Sequence, residues 1–354
     1  MKKILSINPG STSTKLGYYE DDKEVFIHTI RHSAEELKPY NSIFDQYDFR
    51  KKVILDVLKE KNVDIQELSA VIGRGGMVRP LESGVYEVND KMIEDLKIGV
   101  GGMHASNLGG VLAKEIASMI PNCRSFIADP VVVDEMQEVA RISGLPQIPR
   151  RPTFHALNHK AIGRKYAKDH NTKYEDLNLV IAHLGGGVSV AAHRKGKVVD
   201  TNQALDGFGP FSPERAGTVD AGVIVRMAFS GDYTQEEMLK MLCGKGGLMA
   251  HLGTNEAHVV EKNAEAGDKK SKLLMDALSY NVAKGIGEML AVLEGDVDAI
   301  ILTGGIAYGK MVTEYITKMV GKYAPVAVYP GEDEMGALAG SALRVLNGET
   351  AKVY

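Results

Sequence analysis

The chain has 354 residues, 44% apolar and 25% charged, with a net charge of -4 at pH 7. That length predicts two domains at ~150 residues each and a sizeable buried core. The near-neutral balance, with no dense basic stripe, gives no electrostatic reason for a nucleic-acid or membrane partner and leaves small molecules as the expected ligands.

The opening residues KKILSINPGSTSTKLGYYE read as a strand, a polar turn and a second strand. The apolar run ends after four residues at Asn8-Pro9-Gly10, short of the ~7 to 15 of a signal-peptide core, and no later segment is long enough to span a bilayer. Gly10 permits close backbone approach, while Ser11, Ser13 and Lys15 offer hydroxyls and a cation to phosphate oxygens. The GxxxxGK[ST] spacing is absent, and apolar Leu16, Tyr18 and Tyr19 predict a strand, not a helix, after the turn. Helical periodicity follows at Val53, Val57 and Leu58 and at Leu112, Ile116, Met119 and Ile120, with short strands at 70–72 and 125–128. Arg74 follows the first of these strands and Asp129-Pro130 the second. Cys123 and Cys243 have neither metal-ligand spacing nor a disulfide framework, which fits a reducing cytoplasm, and both are expected to be buried as small hydrophobes.

Residues 178–201, NLVIAHLGGGVSVAAHRKGKVVDT, repeat the opening plan, with His183 standing 175 positions after Asn8. An offset near half the chain length points to duplication of a three-stranded meander. A long helical pattern runs from Leu274 to Leu293, a strand covers 299–302, and Gly304-Gly305 then precede a helix over 311–320. Three glycine turns, at 8–15, 183–189 and 303–307, form a constellation suited to phosphate binding at strand ends. The acids Glu332, Asp333 and Glu334 open a last helix reaching about residue 346, where helix-dipole capping alone accounts for acidic residues. His155 and His159 are four apart, but without an intervening HExxH glutamate they do not read as a zinc site, and His159 is taken as a packing or capping residue. His104 and His183 are equally readable as structural or functional histidines.

Two halves with phosphate loops resemble the actin, sugar-kinase and acetate-kinase superfamily: a duplicated ribonuclease-H-like, actin-like ATPase α/β fold of two domains with a nucleotide cleft between them. The expected domains are 1–150 plus 335–354, and 151–334. Asn8, where sugar kinases carry Asp, and the motifs RGG from 74, MHASN from 103, ADP from 128, RRPTFHALNHK from 150, HLGGGVS from 183 and FSPERAG from 211 resemble the acetokinase family. They are most similar to the branch that phosphorylates butyrate, with branched-chain fatty-acid kinases as close relatives.

The resemblance implies ATP, Mg²⁺ and a carboxylate acceptor. A carboxylic acid, with a pKa of roughly 4 to 5, arrives ionised and needs no general base, but must approach an anionic phosphoryl group. By resemblance, Arg74 and Arg215 hold the carboxylate and the transferring phosphoryl, His155 donates a hydrogen bond to it, and Asp129 holds Mg²⁺. Gly185, Gly186 and Gly187 with His183, and Gly304, Gly305 and Ile306, would cradle the nucleotide, and Asn255 would join the adenosine pocket. Asn8, Ser11, Ser13 and Lys15 would face the moving phosphoryl. A glutamate near the metal is expected among the three acids, with Glu334 chosen. Relatives are usually dimers. The alternative within the family is a branched-chain fatty-acid or acetate/propionate kinase, and the more distant rivals are a hydroxyl kinase, with Asp129 as its general base, and a nucleotide-gated binding protein.

Overall fold

The computed structural model describes residues 1–354, and the chain divides into two compact units, Met1–Val133 with Asp333–Tyr354, and Asp134–Glu332. The first unit holds a six-stranded sheet built from β1 (Lys3–Pro9), β2 (Ser13–Glu20), β3 (Lys23–Arg31), β4 (Ala70–Arg74), β5 (Val85–Glu87) and β6 (Arg124–Ala128), in the order β3-β2-β1-β4-β6-β5. The second holds five strands, β7 (Asn178–Leu184), β8 (Val188–Arg194), β9 (Lys197–Thr201), β10 (Ala299–Gly304) and β11 (Val326–Pro330), in the order β11-β10-β7-β8-β9.

The two sheets share one plan. Each begins with an antiparallel meander whose first strand then pairs in parallel with a later strand, β4 or β10. The likeness extends to irregularities: a register shift falls between Tyr18 and Tyr19 in one meander and between Ala192 and His193 in the other. The tight turns that follow place Asp21 at φ 53° and Lys195 at φ 51°. Left-handed backbone at matched positions is what twisted two-residue hairpins require. The expected duplication is therefore present in the fold.

Alternating and continuous apolar runs build separate cores. In the first unit Leu5, Ile7, Leu16, Val71, Leu108, Leu112 and Ile116 pack together, drawn from β1, β2, β4 and the helix Asn107–Ser118. In the second, Leu274, Leu278, Val282, Ile286 and Met289, all from the helix Lys269–Val292, cover Val180, Ala182, Val188 and Val190 of β7 and β8. The helix Lys269–Val292 falls where its periodicity placed it, the helix Asn107–Ser118 covers Leu112 and Ile116 but ends before Met119 and Ile120, and the last helix, Glu334–Leu346, opens at the expected acids. Four shorter helices between Ala221 and Glu265 carried no such prediction.

Residues 134–150, expected with the first domain, cluster with the second unit. Arg141 binds Asp134 through two nitrogens, at 2.6 and 2.7 Å, the Gln137 N–H donates to Val199 O at 3.0 Å, and Arg150 reaches Asp200 at 2.7 Å. The first is local and folds the segment on itself, whereas the Gln137–Val199 and Arg150–Asp200 contacts span 50 or more residues and carry no local sequence signal. Glu334, expected in the second domain, lies in the first unit at the start of the final helix, which packs on β1 and β4. Cys123 and Cys243 are free thiols but only half-buried, not core residues, and burial still pushes the Cys123 thiol up to about 11.

One close approach sets the position of β4. Gly73 lies against Gly109, so that a Cβ on Gly73 would enter the Gly109 carbonyl and a Cβ on Gly109 would enter the Arg74 main chain. Strand and helix backbones are in contact, and Arg74, the next residue, is placed by that contact. Gly73→Ala is therefore expected to cost ~1–3 kcal/mol, the range for overpacking a filled site. Gly287→Ala, on an exposed helical position with nothing within 4 Å of the new methyl, should instead gain ~0.5–1 kcal/mol. Urea denaturation of the two variants checks both signs, and equal effects would refute the close-packing account.

Candidate functional site

In the first unit β1, β4 and β6 are parallel neighbours, so their carboxyl ends bring Asn8, Arg74 and Asp129 to one sheet edge. Ligands in open α/β sheets bind at that edge. Glu334 completes the group: one carboxylate oxygen pairs with Arg74, and the other accepts from Asn8 Nδ2 at 2.6 Å. Both partners are partly buried, with side-chain exposures of 16% for Arg74 and 25% for Glu334, so the pair is shielded from bulk screening.

The structure distinguishes the three consecutive acids. Glu332 Oε1 stands 3.0 Å from His183 Nε2, Asp333 accepts from Gly336 N–H at 2.8 Å and so caps the last helix, and Glu334 holds Arg74 and Asn8. Asp129 is 1% exposed, sits at φ 39°, and its Oδ1 accepts from Ser83 Oγ at 2.6 Å and from Gly84 N–H at 2.8 Å. Left-handed backbone in a buried, hydrogen-bonded Asp exceeds what turn initiation before Pro130 needs.

The loop after β1 is fixed from beneath. Arg50 is fully buried and donates to Ser13 O at 2.9 Å, Thr14 Oγ1 at 2.9 Å, Ser11 O at 3.1 Å and Gln46 Oε1 at 2.8 Å. Its partners are all neutral, and burial lowers its guanidinium to about 10. Ser11 remains exposed and Ser13 and Lys15 half-buried, with Lys15 opposite Asn8 across the β1–β2 pair. Sequence reasoning missed Arg50; an arginine in the helix Tyr47–Glu60 looks like any surface cation until the loop is packed over it. His104 is a turn residue: Nδ1 lies 2.8 Å from Ser106 Oγ, and burial and the Arg74 charge lower its pKa.

In the second unit β7 and β10 run parallel, and their ends carry the two remaining glycine turns. Beside them opens a cavity of about 680 Å³ whose wall includes Gly185, Gly186, Asn255, Gly305, Ile306 and Glu332. Five predicted nucleotide residues are thus brought together, and Lys262 and Lys310, not predicted, add positive charge. Gly304, Gly187 and His183 are not on that wall. Gly304, at φ 89°, backs onto the Leu184 main chain, and Gly187 lies against the Arg215 guanidinium, which a Cβ would enter. Arg215 donates to Ala204 O, and its Nε is buried with no hydrogen-bond partner. A buried donor left in that state is costly unless a ligand meets it.

Imidazoles cluster in the same unit. His155, at the start of the helix Ala156–Asp169, stacks on His183 with centroids 3.8 Å apart. His183 is 1% exposed and its Nδ1 lies 2.8 Å from Asn158 Oδ1. His159 is fully buried, with Nε2 2.8 Å from Ser189 Oγ and Nδ1 3.2 Å from His193 Nε2. Burial, with nearby histidines and Lys160 adding to it, holds the His159 pKa well below its usual value; burial and then Lys160 do the same for His193.

Both rings are neutral in the folded chain and take up protons on unfolding below pH ~6.5, so the stability from keeping them neutral is full above that pH and declines below it. The urea midpoint is expected to hold from pH 8 to 7 and fall from 6.5 to 5, each ring adding at most ~1.4 kcal/mol per pH unit. His193→Asn should make the slope shallower; an unchanged slope would contradict this assignment.

The acetokinase family pattern matches residues 146–324. A probable butyrate kinase of Clostridium botulinum is 57% identical over 353 residues, covering 99% of each chain. Butyrate kinase 2 of Clostridium acetobutylicum is 55% identical over the same length, again with 99% of each covered. The crystal structure of Porphyromonas gingivalis acetate kinase superposes with a TM-score of 0.79 at 21% identity, over 98% of this chain and 100% of that one, so the fold is the actin-like ATPase fold expected.

Proposed function

The chain belongs to the acetokinase family, and from that premise we propose that it phosphorylates butyrate with ATP, reversibly, to give butyryl phosphate and ADP. The full-length likeness to butyrate kinases carries the reading. The site chemistry supports it: arginines at a strand end and against a glycine turn suit an acceptor that arrives ionised and needs neutralising partners, not a general base.

In this reading Arg74 and Arg215 hold the carboxylate and the transferring phosphoryl, and His155 donates to a phosphoryl oxygen. Arg215 Nε, buried and unpaired, is the donor a ligand oxygen would satisfy. Asn8, Ser11, Ser13 and Lys15 face the phosphoryl being moved, on a loop that Arg50 keeps rigid. The nucleotide occupies the cavity at Gly185, Gly186, Gly305 and Ile306, with Asn255 near the adenosine; Gly187 lies against Arg215 and Gly304 against the Leu184 main chain, and neither they nor His183 line it.

Asp129 and Glu334 are oxygen donors of the kind Mg²⁺ accepts, since that ion takes one or two carboxylates and fills its shell with water and substrate phosphates. No group of three His, Cys, Asp or Glu side chains forms a cage of its own, in keeping with an ion shared with phosphate. Bound there, Mg²⁺ would neutralise phosphate charge. Glu334 already bridges Asn8 and Arg74, so its first role is to orient them. The reading includes a cytoplasmic setting, supported by two unpaired cysteines. It also includes a homodimer, supported by the helix Ala221–Ala228, AGVIVRMA, which buries none of its residues.

Trapping acyl phosphate with hydroxylamine decides between acceptors: with ATP and Mg²⁺, butyrate should yield hydroxamate while glycerol and glucose yield no phosphorylated product. Absence of trapped product from every two- to five-carbon acid would sink the proposal. Arg74→Ala and Arg215→Ala are each expected to lower kcat by ~100-fold or more with a far smaller effect on thermal stability. Matching losses of turnover and stability would make them structural arginines.

A further inference from the structure

Behind His155 runs a continuous hydrogen-bonded file of side chains. His155 Nδ1 lies 2.9 Å from Ser189 Oγ, Ser189 Oγ 2.8 Å from His159 Nε2, His159 Nδ1 3.2 Å from His193 Nε2, and His193 Nδ1 2.6 Å from Tyr174 Oη. Ser189, His159 and His193 are fully buried and Tyr174 is 3% exposed. Two elements supply the middle: His159 lies one helical turn after His155, and Ser189 and His193 are four apart on β8, hence on one face.

Every member has one mobile proton. A neutral imidazole has one N–H and one bare nitrogen; the Ser189 hydroxyl donates once and accepts twice, but the His155 backbone N–H takes one of its lone pairs, so it too must donate on one side and accept on the other, and fixing the direction of any link fixes them all. Only two arrangements exist. In one, Tyr174 donates to His193, His193 to His159, His159 to Ser189 and Ser189 to His155 Nδ1, which leaves the His155 proton on Nε2. In the other every donor and acceptor is exchanged, and His155 carries its proton on Nδ1 and presents a bare Nε2.

The Tyr174 end selects between them. A phenol oxygen delocalises a lone pair into its ring, so it donates better than it accepts. Two cations, Lys160 Nζ and the Arg164 guanidinium, stand over that ring at 5.7 Å each and draw on its electrons further. The Tyr174–His193 contact is also the shortest of the four. Burial and the Lys160 charge keep His159 and His193 neutral, as a file of single protons requires. The backbone N–H of His155 donates to Ser189 Oγ at 3.4 Å, which the Ser189 hydroxyl accommodates while still donating its own proton.

We propose that Tyr174, His193, His159 and Ser189 are positioning residues that select the tautomer of His155, holding its proton on Nε2 so that the ring meets the transferred phosphoryl oxygen as a donor. The inference rests on the reading of His155 given above and adds the four residues that set its protonation. None of them needs to touch substrate.

Two-bond ¹H–¹⁵N correlation spectra of the full-length, ligand-free protein read which ring nitrogen is protonated for each of its 10 histidines; loss of a resonance in His155→Gln assigns the relevant one. The wild type should show His155 protonated on Nε2 at pH 7.5. Tyr174→Phe and Ser189→Ala should each move both His155 nitrogens towards averaged shifts. Each should also lower kcat about tenfold, as loss of one directing hydrogen bond does, with KM for ATP and butyrate within about twofold. A wild-type His155 protonated on Nδ1 would overturn the inference, as would unchanged shifts or unchanged kcat in both variants. Should Tyr174→Phe not fold, the wild-type spectrum and Ser189→Ala still decide. Because the tautomer is read without substrate, its failure is separable from failure of the kinase reading, which the hydroxamate assay tests alone.

Discussion

The carboxylate of Glu334 is the constraint around which the first unit is organised. It joins Asn8 at the end of β1 to Arg74 at the end of β4, residues 326 and 260 positions away in the chain. An arginine and a carboxylate that are each mostly buried stabilise only when paired, because an isolated charge there would lack solvation. The final helix therefore has to return to the first sheet. Its apolar face, with Met335, Leu338, Ala339 and Ala342 buried, makes that return favourable independently of the ion pair. Asn8 fits this arrangement where Asp would not: an amide donates to Glu334, whereas a second carboxylate would repel it.

Around that junction the polar groups are held from below by others that face no solvent. Arg50 engages the loop carbonyls that a turn would otherwise leave to water, and Asn107 satisfies the turn at Met77 while binding Leu96 O and Gly102 O. Buried polar networks rigidify when every member is satisfied. Such rigidity suits a reaction in which the protein supplies position and charge more than covalent chemistry.

The second unit solves a related problem with neutral groups. Its glycine turns bring main chain close to Arg215 and to Leu184, and its histidines form a file that stays uncharged in the interior. A charged imidazole at His159 would destabilise the core, while a neutral one transmits only direction. The duplicated meander thus carries different chemistry at equivalent places: Asn8 ends one first strand and His183 the other, with Lys15 and Ser189 opposite them.

Much of this was legible in the sequence because it is local. Strand, polar turn and strand recur 175 residues apart, helical periodicity marks the core helices, and paired glycines mark strand ends; each signal lies within a dozen residues and reflects backbone geometry. The motif resemblance added site residues one by one. Tertiary structure alone decided which of Glu332, Asp333 and Glu334 reaches Arg74, that Arg50 lies under the first loop, that residues 134–150 belong with the second unit, and that Tyr174 and His155 belong to one hydrogen-bonded file. Those facts depend on polar partners tens to hundreds of residues apart. A hydrogen bond or ion pair has no period along the chain, so its partners cannot be read until folding has brought them within 3 Å or so of each other.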